Sequence, residues 1–116
     1  MYKVIIAGGR DFDKPVSEYK QQVLTLLPDG DIEIVSGTAN GADKWGEKLA
    51  RRCNYSVKKF PAKWNEHGKR AGPIRNREMA EYADHLIAFW DGVSKGTNNM
   101  IEEATRLGLK VDVINY

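Results

Sequence analysis

The chain has 116 residues, 41% hydrophobic and 29% charged, with a net charge of +2 and a single cysteine, Cys53. That size accommodates one domain, residues 1–116, with a sizeable core, and the composition argues against disorder. A lone cysteine excludes an internal disulfide framework, and no apolar run approaches the roughly 20 residues of a membrane helix.

In chain order, "YKVIIAG" (Tyr2 to Gly8) is an apolar strand with a glycine exit. A helix follows, with Asp13 as N-cap, Pro15 in the first turn and Val16, Tyr19, Val23, Leu26 and Leu27 on its apolar face. "PDGD" (Pro28 to Asp31) is a turn and "IEIVSG" a second strand. "SGTANGADKWGEKLA" then leads into a helix with Ala42, Trp45, Leu49 and Cys53 on one side. "YSVKKF" (Tyr55 to Phe60) is a third, more exposed strand. Gly68, Gly72 and two prolines predict a loop over Pro61–Pro73, with a helix from about Ile74 to Ala83. "HLIAFW" (His85 to Trp90) is a fourth strand. Met100, Ile101, Ala104 and Leu107 mark a last helix that Gly108 ends, and "KVDVIN" is a fifth strand.

Strands alternating with helices specify parallel βαβ units. The expected fold is α/β: a single Rossmann-like three-layer domain with a five-stranded, mainly parallel sheet. Such sheets gather ligands at the carboxyl ends of their strands. Three strand exits there carry glycine: "GGRDF" (Gly8 to Phe12), "SGTANGAD" (Ser36 to Asp43) and "DGVSKGT" (Asp91 to Thr97). Glycine lets backbone N–H groups approach a ligand, and the following helix presents its positive end. The ligand set read from the loops is Gly8, Gly9, Arg10 and Asp11 from the first, Ser36, Gly37, Gly41 and Asp43 from the second, and Gly92, Ser94, Gly96 and Thr97 from the third. None is a GxGxxG fingerprint or a P-loop.

Other residues carry two readings each. Arg10 forms a local ion pair with Asp11 or clamps a phosphate. Arg75 and Asn76 are placed at a helix start, where a cation opposes the dipole and suggests a bound anion. Asp43 satisfies a helix dipole or holds a ribose hydroxyl. Thr97 caps a helix or bonds a phosphate oxygen, with Ser36 and Asn98 as further candidates. Trp45 has core spacing. Trp64, in a polar loop, stacks on a base, touches a second copy, or is merely exposed, and Trp90 ends a strand at the ligand edge. His67 and His85 read as an exposed loop residue and a sheet partner, and no metal or cofactor is expected.

The charge is unevenly spread. Residues 44–79 hold eleven Lys/Arg against three acids, whereas the flanking segments are both acidic. This is either a solvated face or a basic lip around an anionic ligand.

The series "GGRDF", "SGTANGAD", "FPAKW", "AGPIRNREM" and "AFWDGVSKGTNNMI" resembles the SLOG superfamily of Rossmann-like domains, and more closely its small stand-alone branch related to YspA and cpYpsA. The resemblance spans Gly8 to Ala104. It implies a nucleotide-binding protein, often oligomeric, whose "SGTANGAD" is the phosphate-binding turn, while the single Cys53 fits a reducing cytoplasm. The ligand implied is a nucleotide or an NAD/ADP-ribose-like molecule, sensed, sequestered or hydrolysed. Two relatives supply alternatives. LOG enzymes hydrolyse the base–ribose bond of nucleoside monophosphates with an arginine and the glutamate of GGxGTxxE. Here Arg75 or Arg77 matches the arginine, Met100 stands in the glutamate's place with Glu102 and Glu103 on other faces of the turn, and Arg75 and Glu103 are the catalytic candidates. DprA, with a similar SGxAxGxD stretch, implies single-stranded DNA as the alternative partner, which suits cations beside Trp64.

Overall fold

The computed structural model describes all 116 residues. Five strands, β1 (Tyr2–Gly8), β2 (Ile32–Ser36), β3 (Ser56–Lys59), β4 (His85–Trp90) and β5 (Lys110–Asn115), form one sheet in the order β3-β2-β1-β4-β5. Every pairing is parallel, with Val4 opposite His85 and Ile5 opposite both Val35 and Leu86. The central strands β1 and β4 are almost wholly buried, which is why they read as unbroken apolar runs.

The helices are α1 (Val16–Thr25), α2 (Ala42–Cys53), the four-residue α3 (Trp64–His67), α4 (Ala71–Tyr82) and α5 (Lys95–Arg106). On one sheet face Val4, Ile6, Ile34, Ile87 and Phe89 pack with Val16 and Val23 of α1 and Trp45 and Leu49 of α2. On the other, Ile5, Ala7, Val35, Leu86 and Ala88 pack with Met79 and Ala80 of α4 and Met100 and Ala104 of α5. Three layers result. Trp45 is core, and Phe12, Trp45 and Phe89 form an aromatic cluster with Phe12 and Phe89 centroids 4.4 Å apart.

Two boundaries differ from expectation by more than one residue. The segment 61–73 is not a loop: α3 occupies Trp64–His67, Gly68–Arg70 is a 3₁₀ turn, and α4 starts at Ala71. Gly72 and Pro73 sit inside its first turn, where backbone N–H groups have no helical partner and proline loses nothing. Arg75 and Asn76 therefore lie in the second turn, and the helix-start argument for an anion fails. At α1 the cap is Pro15, not Asp13: Pro15 is extended, and its carbonyl accepts from Glu18 N–H at 3.1 Å and from the Trp45 indole at 3.4 Å. The sheet now sets the site. Strand order runs outward from β1 in one direction and from β4 in the other, so a crevice opens between their carboxyl ends.

Candidate functional site

A cavity of about 610 Å³ occupies that crevice. One wall is the β1 exit, Gly8 to Asp11, and the opposite wall is the start of α5, Ser94 to Thr97. Arg75, Asn76 and Met79 of α4, Asp43 of α2 and Trp64 of α3 close the rest. The exits of β1 and β4 thus meet around one space, while the β2 exit reaches it through Ala39 and Asp43.

The α5 wall is built by a chain of local bonds. Asp91 Oδ1 accepts from the N–H groups of Val93 and Ser94, both at 2.8 Å, and these hold its carboxyl below the ordinary value. Ser94 is the N-cap, its Oγ accepting from Thr97 N–H at 3.4 Å and from Thr97 Oγ1 at 3.1 Å. Thr97 is therefore the partner of the cap and not the cap. Trp90 braces the loop through its indole N–H to the Ser94 carbonyl at 3.1 Å, and Gly92 turns it at φ +86°. The N–H groups of Lys95 and Gly96 make no hydrogen bond within the chain, and neither do those of Arg10 and Asp11 across the cavity. Four backbone donors are thus available on two facing walls.

The β2–α2 turn behaves differently from the phosphate cradle its glycines suggested. Thr38 N–H donates to Ser36 Oγ at 3.1 Å and Ala39 N–H to Asp43 Oδ2 at 3.1 Å, so the turn consumes two of its own donors. Ser36 is fully buried and donates to Glu47 Oε2 at 2.6 Å, out of reach of the cavity. Gly41 is needed because a side chain there would overlap the backbone of Gly9 and Arg10, where Ala42 N–H bonds the Gly9 carbonyl at 3.1 Å. Close approach of two chain segments accounts for Gly41.

What the turn does is position two charges. Arg75 donates from Nη1 to the Gly37 carbonyl at 2.5 Å and from Nε to Asn76 Oδ1 at 3.0 Å. Asn76 in turn donates to Asn99 Oδ1 at 2.9 Å and to the Gly96 carbonyl at 3.4 Å, tying α4 to α5. Asp43 is only 5% exposed, and burial pushes its carboxyl up to about 6 despite the Ala39 N–H bond and the nearby Arg75 and Arg10 charges. Burial and Arg10 lower the Arg75 value, with Asp43 opposing. No ion pair within 4.0 Å joins Arg75 to Asp43. A cation and a carboxylate therefore face the same cavity, each held by backbone.

Arg10 makes no ion pair with Asp11, which instead accepts from the Tyr116 hydroxyl at 2.8 Å. That bond joins residues 105 positions apart and left no mark in the local sequence. Asn99, Met100 and Lys95 were likewise missed as lining residues; a polar or apolar helix residue carries no sign of which strand exit it faces. Met100 is buried in the wall where the LOG pattern has its glutamate, and Glu103 lies outside the cavity, bonded to Arg106 at 2.7 Å. Nor does residues 44–79 form a single basic lip. Arg75 alone of its cations lines this cavity, and Arg51 and Arg52 lie in the last turn of α2, at the other end of that helix. No helix is long and apolar enough to cross a membrane.

No protein-family model matches the chain. Among solved structures it is similar to DNA processing protein A (DprA) from Streptococcus pneumoniae, with a TM-score of 0.78 and 22% identity. The match covers 97% of this chain and 50% of that one, so the chain spans half the length of the DprA structure. That likeness is one of fold: the chain shares the Rossmann-like α/β architecture of the DprA structure over nearly its whole length. The chain is also 37% identical over 124 aligned residues to the Gene 61 protein of Mycobacterium phage D29, covering 100% of this chain and 97% of that protein. With that likeness running end to end, the chain belongs to the family of the phage Gene 61 protein.

Proposed function

We propose that the protein binds a small phosphate-bearing nucleotide in the cavity between β1 and β4. The observation that carries this reading is the pairing of unspent backbone donors, at Arg10 and Asp11 on one wall and Lys95 and Gly96 on the other, with the Arg75 and Arg10 guanidiniums. Anions are stabilised by such donors at a helix start and by guanidinium forks. Asp43 supplies the complementary acceptor for a sugar hydroxyl. The cavity volume falls in the ordinary range for small-molecule sites. Gly8, Gly9, Gly96 and Thr97 shape its walls, and the resemblance to the stand-alone YspA and cpYpsA branch agrees with a sensing or sequestering role.

Native mass spectrometry combined with thermal-shift screening against nucleotides and NAD derivatives tests this, and reads at the same time the oligomeric state that the resemblance implies. A ligand at a hundredfold excess over its Kd raises stability by about 2.7 kcal/mol. No shift with any phosphate-bearing compound removes the reading.

Single-stranded DNA is the second reading, supported by the half-exposed Trp64 beside Arg10 and by the likeness to a protein named for DNA processing. Strand binding through five or six phosphate contacts has a log–log salt slope of roughly −4, against a shallow slope for a compact ligand. A steep slope abolished by Lys58→Ala, Lys59→Ala, Lys63→Ala and Arg70→Ala favours the strand.

A further inference from the structure

A second, shallower cavity of about 370 Å³ adjoins the first, and Arg10, Ala39, Trp64 and Arg75 line both. Its outer walls are the Gly37–Asn40 turn on one side and Pro61 and Ala62 on the other. The groups at the shared boundary are unspent. Arg10 makes no hydrogen bond or ion pair, and Arg75 leaves Nη2 without a partner. Trp64 belongs to neither core cluster and is 50% exposed. Its indole N–H has no acceptor, whereas those of Trp45 and Trp90 bond the Pro15 and Ser94 carbonyls. Arg10 Cζ lies 5.9 Å from the Trp64 ring centroid, at the outer limit of cation–π attraction, so that contact does not account for the indole's position.

We infer that the two cavities form one two-compartment site for a dinucleotide, with the second base stacked on Trp64 and the linking phosphate between Arg10 and Arg75. This rests on the nucleotide reading of the inner cavity. The neck is where the two cations meet, and a linking phosphate is the part of a dinucleotide that needs them. Pro61 and Ala62 offer an apolar wall beside the indole, suited to a planar base and unsuited to a phosphate. Every base has a π-face, so stacking supplies affinity without selecting the base. A mononucleotide fills the inner compartment and leaves the side of Trp64 toward Pro61 and Ala62 uncovered.

Pyrophosphate-linked and phosphodiester-linked dinucleotides share this chemistry. Calorimetric titration of the full chain with AMP, NAD and the 5′-phosphorylated deoxyadenylate dimer separates them. At least one dinucleotide is expected to bind about tenfold tighter than AMP, the scale of one stacked base. Trp64→Ala should erase that advantage, and Trp64→Phe should keep most of it. The linkage that shows the advantage identifies the source. Equal affinities for all three compounds, or an advantage that survives Trp64→Ala, overturns the inference and leaves the nucleotide reading standing. Failure of all three to bind removes both.

Discussion

The Arg75 guanidinium and the Gly37 carbonyl are bonded at 2.5 Å, and a Cβ on Gly37 would lie 2.5 Å from that same Nη1 and 2.8 Å from Asp43 Oδ2. Gly37 is thus the point about which both cavity charges are set. Replacing it by alanine does not strain the backbone; it displaces the Arg75 and Asp43 side chains. Gly37→Ala is expected to cost about 1–3 kcal/mol of stability, the scale of overpacking. It should also weaken any phosphate ligand by about tenfold by moving Arg75. Urea unfolding and calorimetric titration of the same variant check the two effects separately.

Asp43 makes stability depend on pH in a defined direction. Its carboxyl titrates at about 6 in the fold, against an ordinary value of 3.8. The folded state therefore holds this proton more tightly than the unfolded chain. Stability from this group is present in full below pH 3.8 and is lost as pH rises to about 6. The loss is on the order of 3 kcal/mol, from the rise of the Asp43 carboxyl from 3.8 to about 6. Asp43→Asn keeps an acceptor for Ala39 N–H and carries no charge. It should unfold at higher denaturant than the parent at pH 8 and at nearly equal denaturant near pH 4. A variant less stable than the parent at pH 8 contradicts the assignment of burial as the dominant cause.

At the amino end of the sheet His85 is fully buried, bonding Asp112 Oδ2 through Nε2 at 2.7 Å and the Tyr2 hydroxyl through Nδ1 at 3.1 Å. Removing the ring leaves a hydroxyl and a carboxylate without their partner as well as a cavity. His85→Ala should cost about 2–5 kcal/mol. Because the triad sits at the opposite end of β4 from the crevice, ligand affinity measured at low temperature on the folded fraction should not change. Equilibrium unfolding and titration together test that separation.

Glu103 offers the converse test. It is paired with Arg106 along α5 and lines neither cavity. Glu103→Ala should leave stability within about 0.5 kcal/mol and binding unchanged. Arg75→Ala should reduce binding more than about tenfold, and Arg75→Lys should not restore it, since an ammonium cannot bond Gly37 and a phosphate in one plane. Parallel titrations of the three variants decide. A matching loss in Glu103→Ala returns the LOG-type carboxylate to consideration.

Much of the architecture was legible because its signals are local. Continuous apolar runs in β1 and β4, period-3.6 faces in α2 and α5, and glycine at three of the strand exits together specify a parallel, doubly covered sheet. The bounds of β4 and β5 matched to the residue, and Trp45 fell in the core as its spacing required. The segment 61–73 was misread because Gly72 and Pro73 are breakers only in a helix interior; in a first turn there is no backbone bond for them to remove.

The candidate site divides along the same line. From residue types alone, Arg10, Arg75, Asp43 and the α5 start could be named, because charge and glycine at strand exits are visible in one dimension. Local residue patterns set the strand–helix alternation, and with it the end of the sheet at which these groups collect. Which of them face the ligand space was set by long-range contacts in the folded chain. Ser36 turns inward to Glu47, Gly41 accommodates Gly9, and Trp90 bonds Ser94, while Tyr116 reaches back to Asp11. Those outcomes depend on contacts between segments brought together by strand order, and no local pattern encodes which neighbour a side chain will meet.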